Sequence, residues 1–258
     1  MRVIRFLEGL APRYAAIEGD LAYPFEGQPW EAAAAVPSTR GIPLLGLPLM
    51  APCAPSKIIG VGRNYRAHAK EMQGDTPEDP LIFLKPASAV LASGEPIVRP
   101  RGYERVDYEA ELAVVIGRRA HKVKLEHALA HVFGYTLIND VTVRDLQKKD
   151  IQFTRAKGFD TFAPIGPCIV TDLDPRTLRI TTRINGELRQ DACVADMVWD
   201  VPSLVTFISR VMTLEPGDVI ATGTPSGVGN LRPGDVVDIE IPEIGTLHNP
   251  VTEEDSWA

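Results

Sequence analysis

The sequence predicts a β-rich roll or sandwich with a few helices, preceded by a small β-rich N-terminal unit. Three observations carry this. Short runs of β-branched and aromatic residues recur between turn signals, as at 57–62, 81–84, 113–116, 135–139, 219–222 and 237–241. Helical patterns beyond residue 57 are fewer and do not alternate regularly with those runs, which argues against a doubly wound sheet. Prolines recur from Pro24 to Pro55, a spacing that excludes long helices and suits an extended connector. The chain therefore divides into 1–52, a small N-terminal domain with its connector, and 53–258, the main domain.

Composition narrows the function classes. At 258 residues, 45% hydrophobic and 24% charged, the chain is ordinary for a soluble globular protein. A net charge of -7 without a basic block speaks against nucleic acid or an anionic membrane as the main partner. No apolar run approaches a bilayer span, and the start, Met1-Arg2-Val3-Ile4-Arg5, does not read as a signal peptide. Cys53, Cys168 and Cys193 are scattered, offer no CxxC site and suit a reducing cytoplasm.

In order, 3–6 reads as a strand, and Glu18-Gly19-Asp20 turns the chain into the strand-like 21–23. Residues 57–62 form a strand entering a glycine turn, and 63–72 a helix on which His68 and Glu71 share a face. That pair is either a surface contact or a base oriented by its carboxylate. Gly60-Val61-Gly62 matches half of a dinucleotide fingerprint but lacks its third glycine and βαβ context. Residues 74–80 are polar and turn-rich, suited to a loop or lid. The strand at 81–84 ends at Lys85.

Residues 126–132 and 142–149 read as helices, the second following a strand, 135–140, that ends in a carboxylate. Asp140 or Thr142 suits its cap. Arg144 and Gln147 share a face of this helix, with Arg144 placed to pair with a nearby acid. Lys157 falls in a glycine-containing loop, ordinarily a solvated position. Asn185-Gly186 marks a tight hairpin. Pro202 opens a helix whose Leu204, Val205, Ile208, Val211 and Met212 form a core stripe. The glycine-rich 223–229 lacks the GK[ST] of a P-loop. It is either a long turn or a source of backbone N–H groups and the Thr224 hydroxyl for an anion.

The most informative stretch is Asp107-Tyr108-Glu109-Ala110-Glu111-Leu112, opening an apolar run that stops at Gly117. As one strand it places Asp107, Glu109 and Glu111 on one face and Tyr108, Ala110 and Leu112 on the other. Glu109 and Glu111 then lie roughly 7 Å apart at Cα, within reach of one shared cation. Buried charge needs compensation. A metal, basic partners or an exposed strand end would each provide it.

Five spaced motifs carry a family resemblance. They are Gly62-Arg63-Asn64-Tyr65 with His68 and Glu71, Tyr108-Glu109-Ala110-Glu111-Leu112, and Asn139-Asp140-Val141-Thr142 with Arg144-Asp145 and Gln147. Lys157-Gly158-Phe159-Asp160 and Gly223-Thr224-Pro225-Ser226-Gly227-Val228-Gly229 complete the set. In this order they resemble the fumarylacetoacetate hydrolase superfamily over roughly residues 56–251. Residues 1–52 resemble the small N-terminal domain of many bacterial members, a subgroup commonly described as 2-hydroxyhepta-2,4-diene-1,7-dioate isomerase.

The resemblance implies a mixed β-sandwich roll, a homodimer and a metal held by Glu109, Glu111 and Asp140. Oxygen-only ligands suit Mg²⁺, with Mn²⁺ or Ca²⁺ also compatible. His68 and Glu71 would form the dyad that moves a proton or activates water, and Lys157 would face a substrate carboxylate or oxyanion. Thr224 and neighbouring amides would hold a substrate oxygen, with Arg63, Tyr65, Arg144 and Gln147 also lining the site. Asp107 becomes a supporting salt-bridge residue. The implied activity is on 2-oxo or 2-hydroxydienoic (di)carboxylic acids through a metal-bound enolate, foremost as an isomerase. Acylpyruvate-type C–C hydrolysis and oxaloacetate decarboxylation share that enolate, so the fold does not choose among them. A metal-dependent oxo-acid binding protein is the non-enzymatic alternative.

Overall fold

The computed structural model describes residues 1–31, 37–72 and 77–255. Among these, the strands assemble into sheets of twelve, five and three strands. In the largest, the meander Arg2–Glu8, Ala11–Glu18 and Leu21–Pro24 joins Ala163–Val170 through Arg2–Glu8, with Arg2 opposite Val170 and Val3 opposite Ile169. The order continues through Val132–Asn139, Ala110–Ile116, Val219–Ala221, Ile58–Gly62 and Leu81–Lys85. The N-terminal strands thus extend the same sheet that carries the candidate residues.

The five-stranded sheet runs Glu187–Cys193, Arg179–Ile184, Val236–Ile241, Gly245–Glu253 and Ile97–Arg99. It packs on the large sheet, giving a mixed β-sandwich. Alternation along Ala110–Ile116 shows how: Leu112, Val114 and Ile116 join Ile180, Val237, Ile239 and Leu247 in one core, while Ala113 and Val115 face a second core with Val3, Ile138 and Val219. Burial on both faces explains why this strand reads as a continuous apolar run. Each large side chain buried here contributes about 1.5–3 kcal/mol. Asn185 and Gly186, at φ 53 and 82, form the expected tight turn between Arg179–Ile184 and Glu187–Cys193.

Of the core stripe expected at 204–212, Leu204, Val205 and Ile208 are buried on the helix Val201–Val211, whereas Val211 is exposed at its last turn and Met212 follows its end; the Asp200 side chain accepts a hydrogen bond from the Ser203 amide at 3.0 Å. Elsewhere the helices are shorter than the sequence pattern indicates. The helix expected over 63–72 spans Arg66–Glu71, and that at 142–149 begins only at Arg144, because Thr142–Val143 pairs with Val106–Tyr108. The pattern at 126–132 is a 3₁₀ segment, Leu125–His131.

One difference matters for the site. The stretch from Asp107 to Ile116 is two strands, not one. Val106–Tyr108 belongs to the three-stranded sheet with Thr142–Val143 and Gly229–Asn230, whereas Ala110–Ile116 belongs to the large sheet. Glu109 occupies the junction. Of the loop expected at 74–80, residues 74–76 lie outside the described residues.

Candidate active site

A cavity of about 300 Å³, at the small end of ligand pockets, opens beside that junction. Its wall includes Arg63, His68, Glu109, Glu111, Asp140, Arg144, Gln147, Lys157 and Thr224. Tyr65 is buried and is not among the lining residues; its backbone bridges to Met197. A larger groove of about 730 Å³, walled by Phe133, Tyr135 and Met197 among others, holds none of the candidate residues.

Backbone hydrogen bonds bring the three acids together. The Asp140 amide donates to the Glu109 carbonyl at 2.8 Å, and the Glu109 amide donates to the Asn139 side-chain oxygen at 2.9 Å. These contacts fix the junction against the end of Val132–Asn139. Ligand atoms of Glu109, Glu111 and Asp140 consequently lie within 4.8 Å of one another, all in buried residues.

Cations surround this triad unevenly. Lys157 Nζ donates to Glu109 Oε2 at 2.9 Å, Asp140 Oδ2 at 2.5 Å and Thr142 Oγ1 at 2.8 Å, and stands 4.7 Å from the Phe83 ring centroid. Burial works against the Lys157 ammonium, but Asp140 and Glu109 outweigh it and raise its pKa above the ordinary lysine value. Arg144 donates to Glu109 Oε1 at 2.6 Å, Asp107 Oδ2 at 2.7 Å and Gln147 Oε1 at 2.8 Å. Its guanidinium therefore orients the acids, which realises the acid-pairing alternative considered for it. Burial alone would raise the Glu109 carboxyl; Lys157 and Arg144 hold it well below the usual range instead.

Glu111 differs. Among the described residues it makes no ion pair, and its Oε2 accepts only the Gly223 amide at 2.7 Å. Burial, then the charges of Asp140 and Glu109, push its carboxyl well above the usual range. A buried, oxygen-only triad that leaves one carboxylate without a cation fits a hard divalent ion.

His68 Nδ1 and Glu71 Oε2 are 3.1 Å apart, and Glu71 Oε1 accepts the Gly227 amide at 3.0 Å. The Nδ1 contact leaves Nε2 as the ring nitrogen available for proton transfer. Two amides of 223–229 are thus engaged by Glu111 and Glu71. Both positions need glycine: Gly223 and Gly227 each have φ 101, and a Cβ would come 2.7 Å from Asn64 Cβ and 2.2 Å from the Arg189 carbonyl, respectively. Thr224 Oγ1 accepts from Gln190 Nε2 at 2.8 Å.

Sequence reasoning missed two participants. Lys85, only 1% exposed, donates to Asp140 Oδ1 at 2.7 Å. A lysine closing a strand looks like an ordinary solvated end, so only its position after an apolar run hinted at burial. Gln190, also buried, pins Thr224 and Pro225 from the hairpin, and its inward alternation was the available signal. Two local readings change as well. Asp140 caps no helix, since the first turn of Arg144–Lys149 has no side-chain cap. Lys157 lies not in a solvated loop but buried at the end of Thr154–Lys157.

The fumarylacetoacetate (FAA) hydrolase C-terminal family profile matches residues 57–252. The chain belongs to the fumarylacetoacetate hydrolase family. A second profile, Rv2993c-like N-terminal, matches residues 1–52. Protein Rv2993c of Mycobacterium tuberculosis is 45% identical over 98% of this chain and 99% of its own. Oxaloacetate tautomerase YisK of Bacillus subtilis is 47% identical over 76% of this chain and 70% of its own. The crystal structure of 2-hydroxyhepta-2,4-diene-1,7-dioate isomerase from Mycobacterium marinum superposes with a TM-score of 0.90 at 43% identity, covering 99% of this chain and 100% of that one. Members of the fumarylacetoacetate hydrolase family typically use a divalent metal, and the Glu109–Glu111–Asp140 cluster can hold one. Among the described residues, no helix is long and apolar enough to cross a membrane.

Proposed function

We propose that the protein is a divalent-cation-dependent isomerase that moves a proton on small 2-oxo or 2-hydroxydienoic acids. The observation carrying this reading is the meeting, in one cavity, of the acid triad and His68, whose Nδ1 is held from behind by Glu71. A divalent cation, Mg²⁺ foremost, held by Glu109, Glu111 and Asp140 would supply Lewis acidity that favours the enolate of a 2-oxo acid. His68 Nε2 takes the proton from the carbon beside the 2-oxo group and returns it to the 2-oxygen, giving the enol, or to a conjugated carbon, giving the shifted double bond. Glu71 fixes the imidazole through Nδ1 and so aims Nε2 at the substrate. The Lys157 ammonium faces the developing oxyanion and keeps a charge that stabilises it. Thr224, oriented by Gln190, offers a hydroxyl to a substrate oxygen.

The similar proteins named for oxaloacetate tautomerisation and heptadienedioate isomerisation support proton transfer over hydrolysis. The test is turnover with Mg²⁺ of enol-oxaloacetate, 2-hydroxyhepta-2,4-diene-1,7-dioate and an acylpyruvate. Ultraviolet absorbance follows the enols, and pyruvate release reports cleavage. Isomerisation without pyruvate release is expected. Pyruvate from the acylpyruvate would make the protein a C–C hydrolase, and pyruvate with CO₂ from oxaloacetate a decarboxylase. Tight Mg²⁺-dependent binding without any turnover would make it a binding protein.

A further inference from the structure

The strand Leu81–Lys85 forms an edge of the large sheet, and alternation puts Lys85, Phe83 and Leu81 on one face. Lys85 sits at Asp140, and Phe83 and Leu81 follow it along the cavity wall at steps of roughly 7 Å. Leu81 is 38% exposed, so the row leads from the acids toward solvent. Phe153 meets Phe83 edge-on at 5.7 Å and extends the apolar wall. The acids, His68, Lys157 and Thr224 are polar parts of the same lining, so a carbon tail gains apolar contact along this row.

The neighbouring strand Ile58–Gly62 pairs Gly60 with Phe83 and Gly62 with Leu81. A Cβ at Gly60 would lie 2.1, 2.3 and 2.8 Å from three atoms of the Phe83 ring, closer than Cβ contacts come. The ring thus occupies the space that a side chain at position 60 would fill. Backbone conformation does not demand this glycine: unlike Gly223 and Gly227, Gly60 has no positive φ. What demands it is the ring lying on the strand, as aromatic residues do over glycine in a neighbouring strand. Lys157 Nζ, 4.7 Å from the ring centroid, and Phe153 flank the ring there. A side chain at position 60 would lift the ring off the strand, toward Lys157 and the cavity.

We propose that Phe83, seated on Gly60, is a specificity-determining residue of the cavity: it leaves a slot for a slender, unbranched or conjugated tail and shuts out bulky ones. This rests on the proposed function for placing the 2-oxo end at the acids, and deepens it by setting the shape of the tail.

The test is calorimetry with Mg²⁺ on the intact protein, Gly60→Ala and Phe83→Ala. The ligands are oxalate, which has no tail, the linear 2-oxo acids from pyruvate to 2-oxohexanoate, and phenylpyruvate. For the intact protein, affinity is expected to rise along the linear series by up to about fourfold per methylene. Gly60→Ala is expected to flatten that rise and to weaken 2-oxohexanoate about tenfold, while oxalate stays within about twofold. Phe83→Ala is expected to bind phenylpyruvate about tenfold or more tightly than the parent does, because the vacated space fits a ring. That gain is not produced by damage to the fold, so it decides the matter even where Gly60→Ala does not fold. An intact protein that shows no rise with chain length, or binds none of the acids, overturns the proposal without any variant. Equal losses for oxalate and 2-oxohexanoate in Gly60→Ala, or no gain for phenylpyruvate in Phe83→Ala, overturn the assignment to this pair. Turnover in the same preparations judges the isomerase reading separately. A shape-selective protein without turnover keeps this inference and loses that one; one that isomerises slender and bulky acids alike does the reverse.

Discussion

Lys85 Nζ donates to Asp140 Oδ1 at 2.7 Å in a pair whose side chains are 0% and 1% exposed. Removing one partner of such a pair strands a charge away from water, at a cost of about 3–5 kcal/mol. Asp140 keeps Lys157 as a second cation, so Lys85→Met is expected to lower unfolding stability by part of that amount, more than about 1 kcal/mol, in denaturant titrations. The double variant Lys85→Met with Asp140→Leu is expected to recover part of the loss. A single-variant loss under about 1 kcal/mol, the range of exposed pairs, would show that the pair is not needed to hold Asp140.

Glu111 makes a prediction of opposite sign. Its folded pKa lies above the ordinary 4.5, so the metal-free native protein holds this proton more tightly than the unfolded chain does. By linkage, stability falls as pH rises from about 4.5 through the raised value. Glu109 runs the other way: its depressed pKa contributes stability above the ordinary range that is lost as pH falls toward the folded value. Glu111→Gln keeps an acceptor for the Gly223 amide and removes the unpaired charge. Its metal-free Tm at pH 8 is expected to exceed that of the parent, while the Tm gain from Mg²⁺ disappears. A metal-free Tm below the parent's would refute the charge argument.

Chelation is expected to abolish turnover, with recovery on adding Mg²⁺. Binding to the native state alone stabilises by about 2.7 kcal/mol at a hundredfold excess over Kd. Differential scanning calorimetry at several Mg²⁺ concentrations should follow that dependence. Full activity after exhaustive chelation would remove the metal from the mechanism.

The dyad separates chemistry from metal binding. His68→Gln is expected to lower kcat by about 10²–10⁴, the usual worth of a positioned base. Glu71→Gln is expected to cost less, because the imidazole loses the carboxylate that orients it but keeps its place in the cavity. Both should keep the Mg²⁺ affinity of the parent by calorimetry. Unchanged kcat in His68→Gln would place the base elsewhere.

How much of this was legible differs by residue. The apolar runs, Asn185-Gly186 and Leu204, Val205 and Ile208 of the helical stripe follow local periodicity and turn chemistry, and these features appear where the pattern puts them, while Val211, at the end of the helix, is exposed. Glu109 and Glu111 stood out because carboxylates beside a buried run demand compensation. Their meeting with Asp140 depends on the pairing of two strands, which spacing along the chain does not encode. The break at Glu109 was invisible, since Val106–Tyr108 and Ala110–Ile116 have one continuous strand-like pattern but different neighbours. Lys85 and Arg144 were hard for the same reason. A basic side chain is buried only when tertiary structure supplies its acids, and those come from elements 55 and 35 residues away.

The passage of the chain from one sheet to another at Glu109 has a mechanical side. Glu109 stands where the three-stranded sheet hands over to the large one, and Glu111 and Asp140 are anchored by the large one. An ion gripping all of them would act as a rivet through a seam. The small sheet also carries Gly229–Asn230, the end of the glycine-rich loop that Glu71 holds at Gly227. Tightening the seam would therefore steady the loop and the imidazole as well. Slower amide exchange across Val106–Tyr108 and 223–230 on adding Mg²⁺ would be its signature.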